Sequence, residues 1–308
     1  MRLKAAVARH VTSAVQRMPR GLTTPLAAAV GTLLWAGFDR RVANENLERV
    51  YPQWSSFRRG RIAYRSYTRM ARSLVEFLHT PKYSREEMLA RVELENEGAL
   101  VATLEQGRGA ILLSGHFGNW EWLARRVAAA GHPFAVLFKE PGDPVLAERL
   151  RAIRASAGIE QIDHDDMRAA VRWLRKGRVL GIVMDQEPRR VAEGVVAPLF
   201  GHATMTHVGP FRLARMSGAP LLTFFCRATG RGWYRARLEP LPESGAADPE
   251  AAIAEDAARF NARLEAAVRA SPEHWMWMYR RWARIDRRAR TGRPADPWLS
   301  ENAGLPGS

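Results

Sequence analysis

Only one cysteine, Cys226, occurs in 308 residues, so no intramolecular disulfide can form and a reducing compartment fits. Lysine is almost as scarce: of 47 basic residues four are Lys (Lys4, Lys82, Lys139, Lys176), leaving 43 Arg. Acids do not balance them; with 32 Asp+Glu the formal net charge is +15. Several signatures are missing. No GxSxG elbow presents a serine nucleophile, and no Walker A loop or GxGxxG follows a strand. His202 and His207 lie five apart without an acid pair, and His164-Asp165-Asp166 reads as a helix start, so no metal site is expected. With 46% hydrophobic and 26% charged residues, wholesale disorder is excluded. What is present is a globular, strongly basic chain whose field favours nucleic acid, a phospholipid surface or an acidic carrier.

Residues 1–20 hold Arg2, Lys4, Arg9, Arg17 and Arg20 and no acid. On a helical wheel Val7, Val11, Val15 and Met18 fall within about 80° of arc, opposite most of the basic residues, the pattern of an interfacial membrane helix. Eighteen uncharged residues follow, Gly21 to Phe38, and predict a membrane-associated helix, inserted or docked. Residues 40–50 and 56–79 read as helices. The second carries a stripe of Arg58, Arg61, Arg65, Arg69 and Arg72, mostly a solvated face, with Met70, Leu74, Phe77 and Leu78 for burial.

From about residue 93, short apolar runs alternate with helical stretches. Ala110–Ser114, Phe134–Phe138, Val179–Met184 and Pro220–Cys226 have strand length, and Trp233–Leu238 reads as a less buried strand. Helices are expected near 119–130, 144–157, 165–176 and 207–217, and over Pro249–Ala270. The pattern predicts an α/β fold, a largely parallel or mixed central sheet flanked by helices. The expected organisation is a helical membrane-associating region at 1–80, an α/β core at 81–290 and a loose tail at 291–308.

Ligands of such sheets bind beyond the carboxyl ends of the strands. There the sequence reads Ser114-Gly115-His116-Phe117-Gly118-Asn119-Trp120-Glu121. Two glycines allow a tight turn and Asn119 can cap the next helix. Folding back across this junction lets the Glu121 carboxylate meet the His116 imidazole, a general-base arrangement. A structural histidine is the plainer alternative. If its strand is parallel to the first, Asp185 emerges at the same edge.

These residues resemble a known family. His116–Glu121, an HxxxxE segment, is similar to the signature of the bacterial lipid A biosynthesis acyltransferases, the late lauroyl/myristoyl transferases. Arg41–Pro52 (RVANENLERVYP) resembles the family's N-terminal segment, and Asp185-Gln186-Glu187 its Asp-x-Asp box with Glu as second acid. Pro198–Met216 and Ser271–Trp282 (SPEHWMWMYRRW) resemble its later threonine and Trp/Arg blocks. The resemblance implies a glycerolipid-acyltransferase-like fold at the cytoplasmic face of the inner membrane. It implies transfer of an acyl chain from acyl carrier protein or acyl-CoA, as co-substrate, to a glycolipid hydroxyl, without cofactor or metal. By the same resemblance His116 is the base and Glu121 its partner, with Arg154 and Asp185 functional. Gly118, Asn119, Thr206, Arg151 and Glu187 are expected to contact substrate. The oxyanion would meet Arg154 or donors of the Gly115–Asn119 turn.

Other readings are the same chemistry on another glycolipid or an aminolipid, a non-catalytic basic membrane-binding protein, and a hydrolase. Nucleic acid is disfavoured, because no recognised module appears and the basic clusters flank apolar segments. Residues 1–20 contribute +5, and Arg280–Arg293 holds seven arginines against Asp286 alone. Such an excess suits an anionic membrane surface.

Overall fold

A computed structural model describes residues 12–37 and 40–290. Residues 12–17 are helical; the rest of the expected basic helix at 1–11, and the tail at 291–308, lie outside the described residues. Eleven further α-helices follow among the described residues. They are α1 Thr23–Gly37, α2 Arg40–Val50, α3 Ser56–Leu78, α4 Arg85–Arg91, α5 Glu97–Leu104 and α6 Trp120–Ala129, then α7 Pro144–Ala155, α8 Met167–Leu174, α9 Gly209–Ser217, α10 Pro249–Ala270 and α11 Ala283–Arg290. The strands are β1 Val92–Glu95, β2 Ala110–Ser114, β3 Phe134–Phe138, β4 Ile159–Asp163, β5 Val179–Val183, β6 Gly194–Leu199, β7 His202–His207, β8 Leu221–Gly230 and β9 Trp233–Leu241.

Seven strands form one sheet in the order β1-β9-β8-β2-β5-β3-β4. Only β8 and β9 pair antiparallel within it; β6 and β7 make a separate hairpin. In β2, Ile111 and Leu113 point into one apolar cluster, and Ala110 and Leu112 into another on the opposite face. Burial on both faces explains why this strand reads as an unbroken apolar run. The expected α/β architecture is therefore present.

Helix starts follow local chemistry. Asn119, Asp143, Asp166 and Asp248 each accept a main-chain N–H of the first turn, at 3.1, 2.9, 2.8 and 2.7 Å, and each such cap contributes about 1 kcal/mol. Pro144 and Pro249 occupy first helical positions, where no N–H is required. Ile253, Ala257, Phe260, Leu264 and Val268 form the buried stripe of α10.

The N-terminal segment departs from its sequence reading. Val15, on the expected lipid-facing stripe, packs instead on Ala27 and Val75. α1 lies along α3 so closely that a Cβ on Gly31 would come within 2.5 Å of the Thr68 Cα. At 15 residues it is about 22 Å long, short of a bilayer's hydrocarbon core. No single described helix is long and apolar enough to cross a membrane; Arg20–Gly37 and Arg40–Val50 pass that test only together, bent by 89°. Leu74, expected to be buried, is 50% exposed. Across the boundary expected near residue 80, Leu47, Ile62, Ala63 and Tyr67 share one cluster with the sheet.

Two strands set the site. After β2 the chain crosses through α6 to β3, while after β5 it returns to β8 on the other side of β2. The carboxyl ends of β2 and β5 thus flank the crevice where the connections diverge. Ser114 pairs with Val183 in parallel register, so His116 and Asp185, each two residues beyond, leave the sheet side by side.

Candidate active site

The turn after β2 is tightly specified. The Phe117 N–H donates to Gly115 O at 2.6 Å and the Gly118 N–H to His274 O at 2.8 Å. Gly118 has φ of +60°, and any Cβ there would fall 1.5 Å from Cys226 O, so only glycine fits. Gly118 O accepts from Ser73 Oγ at 2.8 Å. This turn presents His116, whose ring remains 24% exposed.

His116 Nδ1 bonds Asp185 Oδ1 at 2.7 Å, and the second carboxylate oxygen accepts from Trp275 Nε1 at 2.8 Å. Trp120 stands edge-on to the imidazole, 4.9 Å between ring centres. Burial alone would raise the Asp185 pKa, but the neighbouring His116 charge and the hydrogen bonds from His116 and Trp275 outweigh it and hold the carboxyl below its usual range. An ionised Asp185 accepts a proton-bearing Nδ1, which leaves the Nε2 lone pair as the ring's free base.

Glu121 is not the partner of His116. Its carboxylate takes Arg154 Nη2 at 2.5 Å and Nε at 3.2 Å, while Arg154 Nη1 reaches Gln161 Oε1 at 2.9 Å. The guanidinium lies 4.1 Å from the Phe138 ring centre and 5.6 Å from that of Phe77. Glu121 is the second residue of α6 and turns toward α7, where a two-bond fork satisfies a carboxylate better than one imidazole N–H. Asp185 reaches His116 first because its strand is the neighbour of β2.

The other expected residues separate. Arg151, three positions before Arg154, is 54% exposed and pairs with Glu140 at 2.8 Å, away from Glu121. Asn119 is buried; its Oδ1 caps α6 and its Nδ2 donates to Glu76. With Gly118 it builds the turn from behind rather than presenting a surface for substrate. Thr206 is a fully buried strand residue that accepts from Asn261 Nδ2 at 2.9 Å and Arg281 Nη2 at 3.2 Å. It neither caps a helix nor faces the crevice. Glu187 accepts from the Arg284 N–H at 3.3 Å and turns toward α11; burial pushes its carboxyl up. Among the described residues one group has metal-ligand spacing, Asp163, His164 and Asp165, and there Asp163 already holds the Asp165 N–H at 2.8 Å.

Residues 6–284 match the family model described as bacterial lipid A biosynthesis acyltransferase. The chain belongs to that family. It is 26% identical to the lipid A biosynthesis lauroyltransferase of Escherichia coli K12, over 87% of both chains. To the palmitoleoyltransferase of the same organism it is 24% identical over 86% of both. It is also 28% identical to a phosphatidylinositol mannoside acyltransferase of Mycolicibacterium smegmatis, over 63% of this chain and 64% of that one. The protein is accordingly an acyl-transferring enzyme.

Three residues of this lipid A acyltransferase family member were given no role by the sequence reading, although Trp275 and Arg281 lie in its Ser271–Trp282 block. Trp275 fixes the far oxygen of Asp185. Arg281, 1% exposed, spans Thr204 Oγ1 at 2.8 Å and Met205 O at 2.5 Å, while its Nε has no hydrogen-bond partner among the described residues. Burial pulls its pKa down, against the charges of Asp185 and Glu187. Glu76, 3% exposed on α3, accepts from Arg72 Nε at 2.8 Å, from Asn119 Nδ2 at 2.9 Å and from the Tyr234 hydroxyl. A signal for Glu76 was available: at 100° per residue it falls within about 60° of Ile62 and Ser73, on the inward side of its helix.

Proposed function

We propose that the enzyme transfers a fatty acyl chain from a thioester, acyl carrier protein or acyl-CoA, to a hydroxyl of a lipid A precursor. His116 is the general base. The observation that carries this reading is the Trp275–Asp185–His116 chain at the carboxyl edge of β2 and β5, which directs Nε2 away from its carboxylate.

An acceptor hydroxyl has a pKa far above neutrality, so it needs a base as it attacks. Nε2 takes that proton while the oxygen adds to the thioester carbonyl, and Asp185 stabilises the resulting imidazolium. Collapse breaks the C–S bond, and the imidazolium returns its proton to the leaving thiolate. An ester and a free thiol result. The Phe117 and Gly118 N–H groups are engaged within the fold. Arg154 is a candidate oxyanion donor: its bonds to Glu121 and Gln161 use three of about five guanidinium hydrogens.

We place the enzyme at the cytoplasmic face of the inner membrane. Supporting this, Leu33 is 71% and Phe57 79% exposed, near exposed Arg58, Arg61 and Arg65.

The test is acyl transfer by the purified enzyme to lipid A precursor, read as a mass gain, together with lipid mass spectrometry of cells lacking the gene. His116→Ala should reduce transfer by about 10²–10⁴-fold with the fold retained. Undiminished transfer in that variant would sink the general-base role. The mannoside relative favours a second reading, another glycolipid acceptor; unchanged lipid A with a shift in a different glycolipid would establish it.

A further inference from the structure

Two blocks that resembled the family, Arg41–Pro52 and the tryptophan-rich run ending at Trp282, give the chemistry above only Trp275. In the fold they form opposing walls of one open cavity of about 680 Å3. Arg41, Glu45 and Arg49 come from α2, Arg280 and Trp282 from the chain entering α11, and Asp286 and Arg287 from α11 itself. Asn46 ties the walls together, its Nδ2 donating to Trp277 O and Tyr279 O at 2.7 Å each.

Among the described residues four guanidiniums thus face two carboxylates, which hold Arg41, Arg49 and Arg280 in place. Glu45 lies 2.6 Å from Arg41 Nε and 3.6 Å from Arg280 Nη1. Asp286 meets Arg49 Nη2 at 2.8 and 2.9 Å, and Arg49 also lies over the Trp282 ring at 5.2 Å. A smaller cavity lined by Glu187, Tyr279 and Arg284 shares Ala283 and Arg287 with this one. Glu187 is two residues beyond Asp185, so the cationic cavity runs along α11 toward the loop that orients His116.

We propose that this cavity binds a phosphorylated sugar headgroup, the phosphate-bearing end of the acceptor glycolipid. The proposal rests on the acyltransferase reading above. Size argues for a headgroup: cavities of about 300–1,000 Å3 take small molecules, whereas an acidic protein partner needs about 800 Å2 of surface. Charge argues for phosphate. The arginines favour an anion, and a phosphate has three acceptor oxygens that can take guanidinium N–H groups from both walls, where a carboxylate has two.

Calorimetric titration of the full chain with glucosamine 1-phosphate, with glucosamine and with phosphatidylglycerol vesicles tests it. Glucosamine 1-phosphate should bind and glucosamine should not. Arg280→Gln and Arg287→Gln should each weaken sugar-phosphate binding about tenfold or more, the loss of a charge-assisted hydrogen bond, and leave vesicle binding intact. Arg49→Gln should do the same, but Arg49 also anchors Asp286, so the other two substitutions carry the decision. Equal binding of glucosamine, unchanged binding in both variants, or loss of vesicle binding alone overturns the proposal; the last outcome assigns the cavity to membrane phospholipid. In acyl transfer the variants should raise acceptor KM more than they lower kcat. Transfer with unchanged acceptor KM would reject the cavity and keep the enzyme. Arginine-dependent sugar-phosphate binding without acylation of any lipid would keep the cavity and reject the proposed reaction.

Discussion

Asp185 acts on His116 through one proton position. An Asn there can offer its amide N–H to Nδ1 and so favour the tautomer with its proton on Nε2, which cannot accept from a hydroxyl. Asp185→Asn should therefore lower kcat by about 10²–10⁴-fold with little change in the circular dichroism spectrum. A variant within threefold of the parent would remove Asp185 from the mechanism. His274, one residue before Trp275, gives a separate pH signature. Burial, reinforced by Arg69 and opposed by Glu273, pushes its pKa down to about 4. Its Nε2 accepts the Ala228 N–H at 3.0 Å, which requires the neutral ring. Between the unfolded value near 6.5 and about 4 the unfolded chain binds a proton that the folded one does not. Stability must then fall as pH drops through that window, by on the order of 3 kcal/mol. Urea unfolding at pH 7 and pH 4.5 should show a smaller acid loss for His274→Gln than for the parent; equal losses would remove His274 as the cause.

Among the elements, α3 is the support of the catalytic turn. Ser66 Oγ donates to Trp275 O, Ser73 Oγ to Gly118 O, and Glu76 accepts from Asn119, so one helix face holds three parts of the site. Glu76→Gln leaves Arg72 half-buried without its carboxylate and should cost about 3 kcal/mol of stability, with a fall in transfer rate even where the variant is fully folded. Urea midpoints and kcat measured together check both halves. The same helix shows the limit of reading the sequence alone. Its span and arginine stripe were legible from periodicity, and Ala110–Ser114 and Phe134–Phe138 from their apolar runs. β1 and β4 were not, because they are the two edges of the sheet: Val92–Glu95 buries only Val92 and Leu94, and Ile159–Asp163 only Ile159 and Ile162, with acids among the remaining residues. Asp185 was legible as a residue at the same sheet edge, but not as the partner of His116. Spacing within HxxxxE pointed to Glu121, whereas strand order, a long-range property, delivers Asp185 to the ring.

For the whole molecule, the +15 is not all surface charge. Arg125, Arg126, Arg154 and Arg281 are buried, and Arg281 was among the seven arginines assigned to a basic flank. What faces outward near the apolar side of α1 is the Arg58, Arg61 and Arg65 row. Attachment to anionic vesicles should therefore weaken steeply between 0.1 and 0.5 M salt, as the screening length falls below about 10 Å. Leu33→Glu should weaken it further at either salt, as read by co-sedimentation. Salt-insensitive attachment would point instead to insertion of the segment around α1.

The contact between Gly118 and Cys226 has a practical consequence. Cys226 is the only thiol in the chain, is fully buried, and is made harder to ionise by that burial. A thiol-alkylating reagent can reach it only when the packing around the strand beneath the catalytic turn opens. Its labelling rate is thus an optical stopwatch for the opening of the active site, built into the natural sequence and needing no engineered probe.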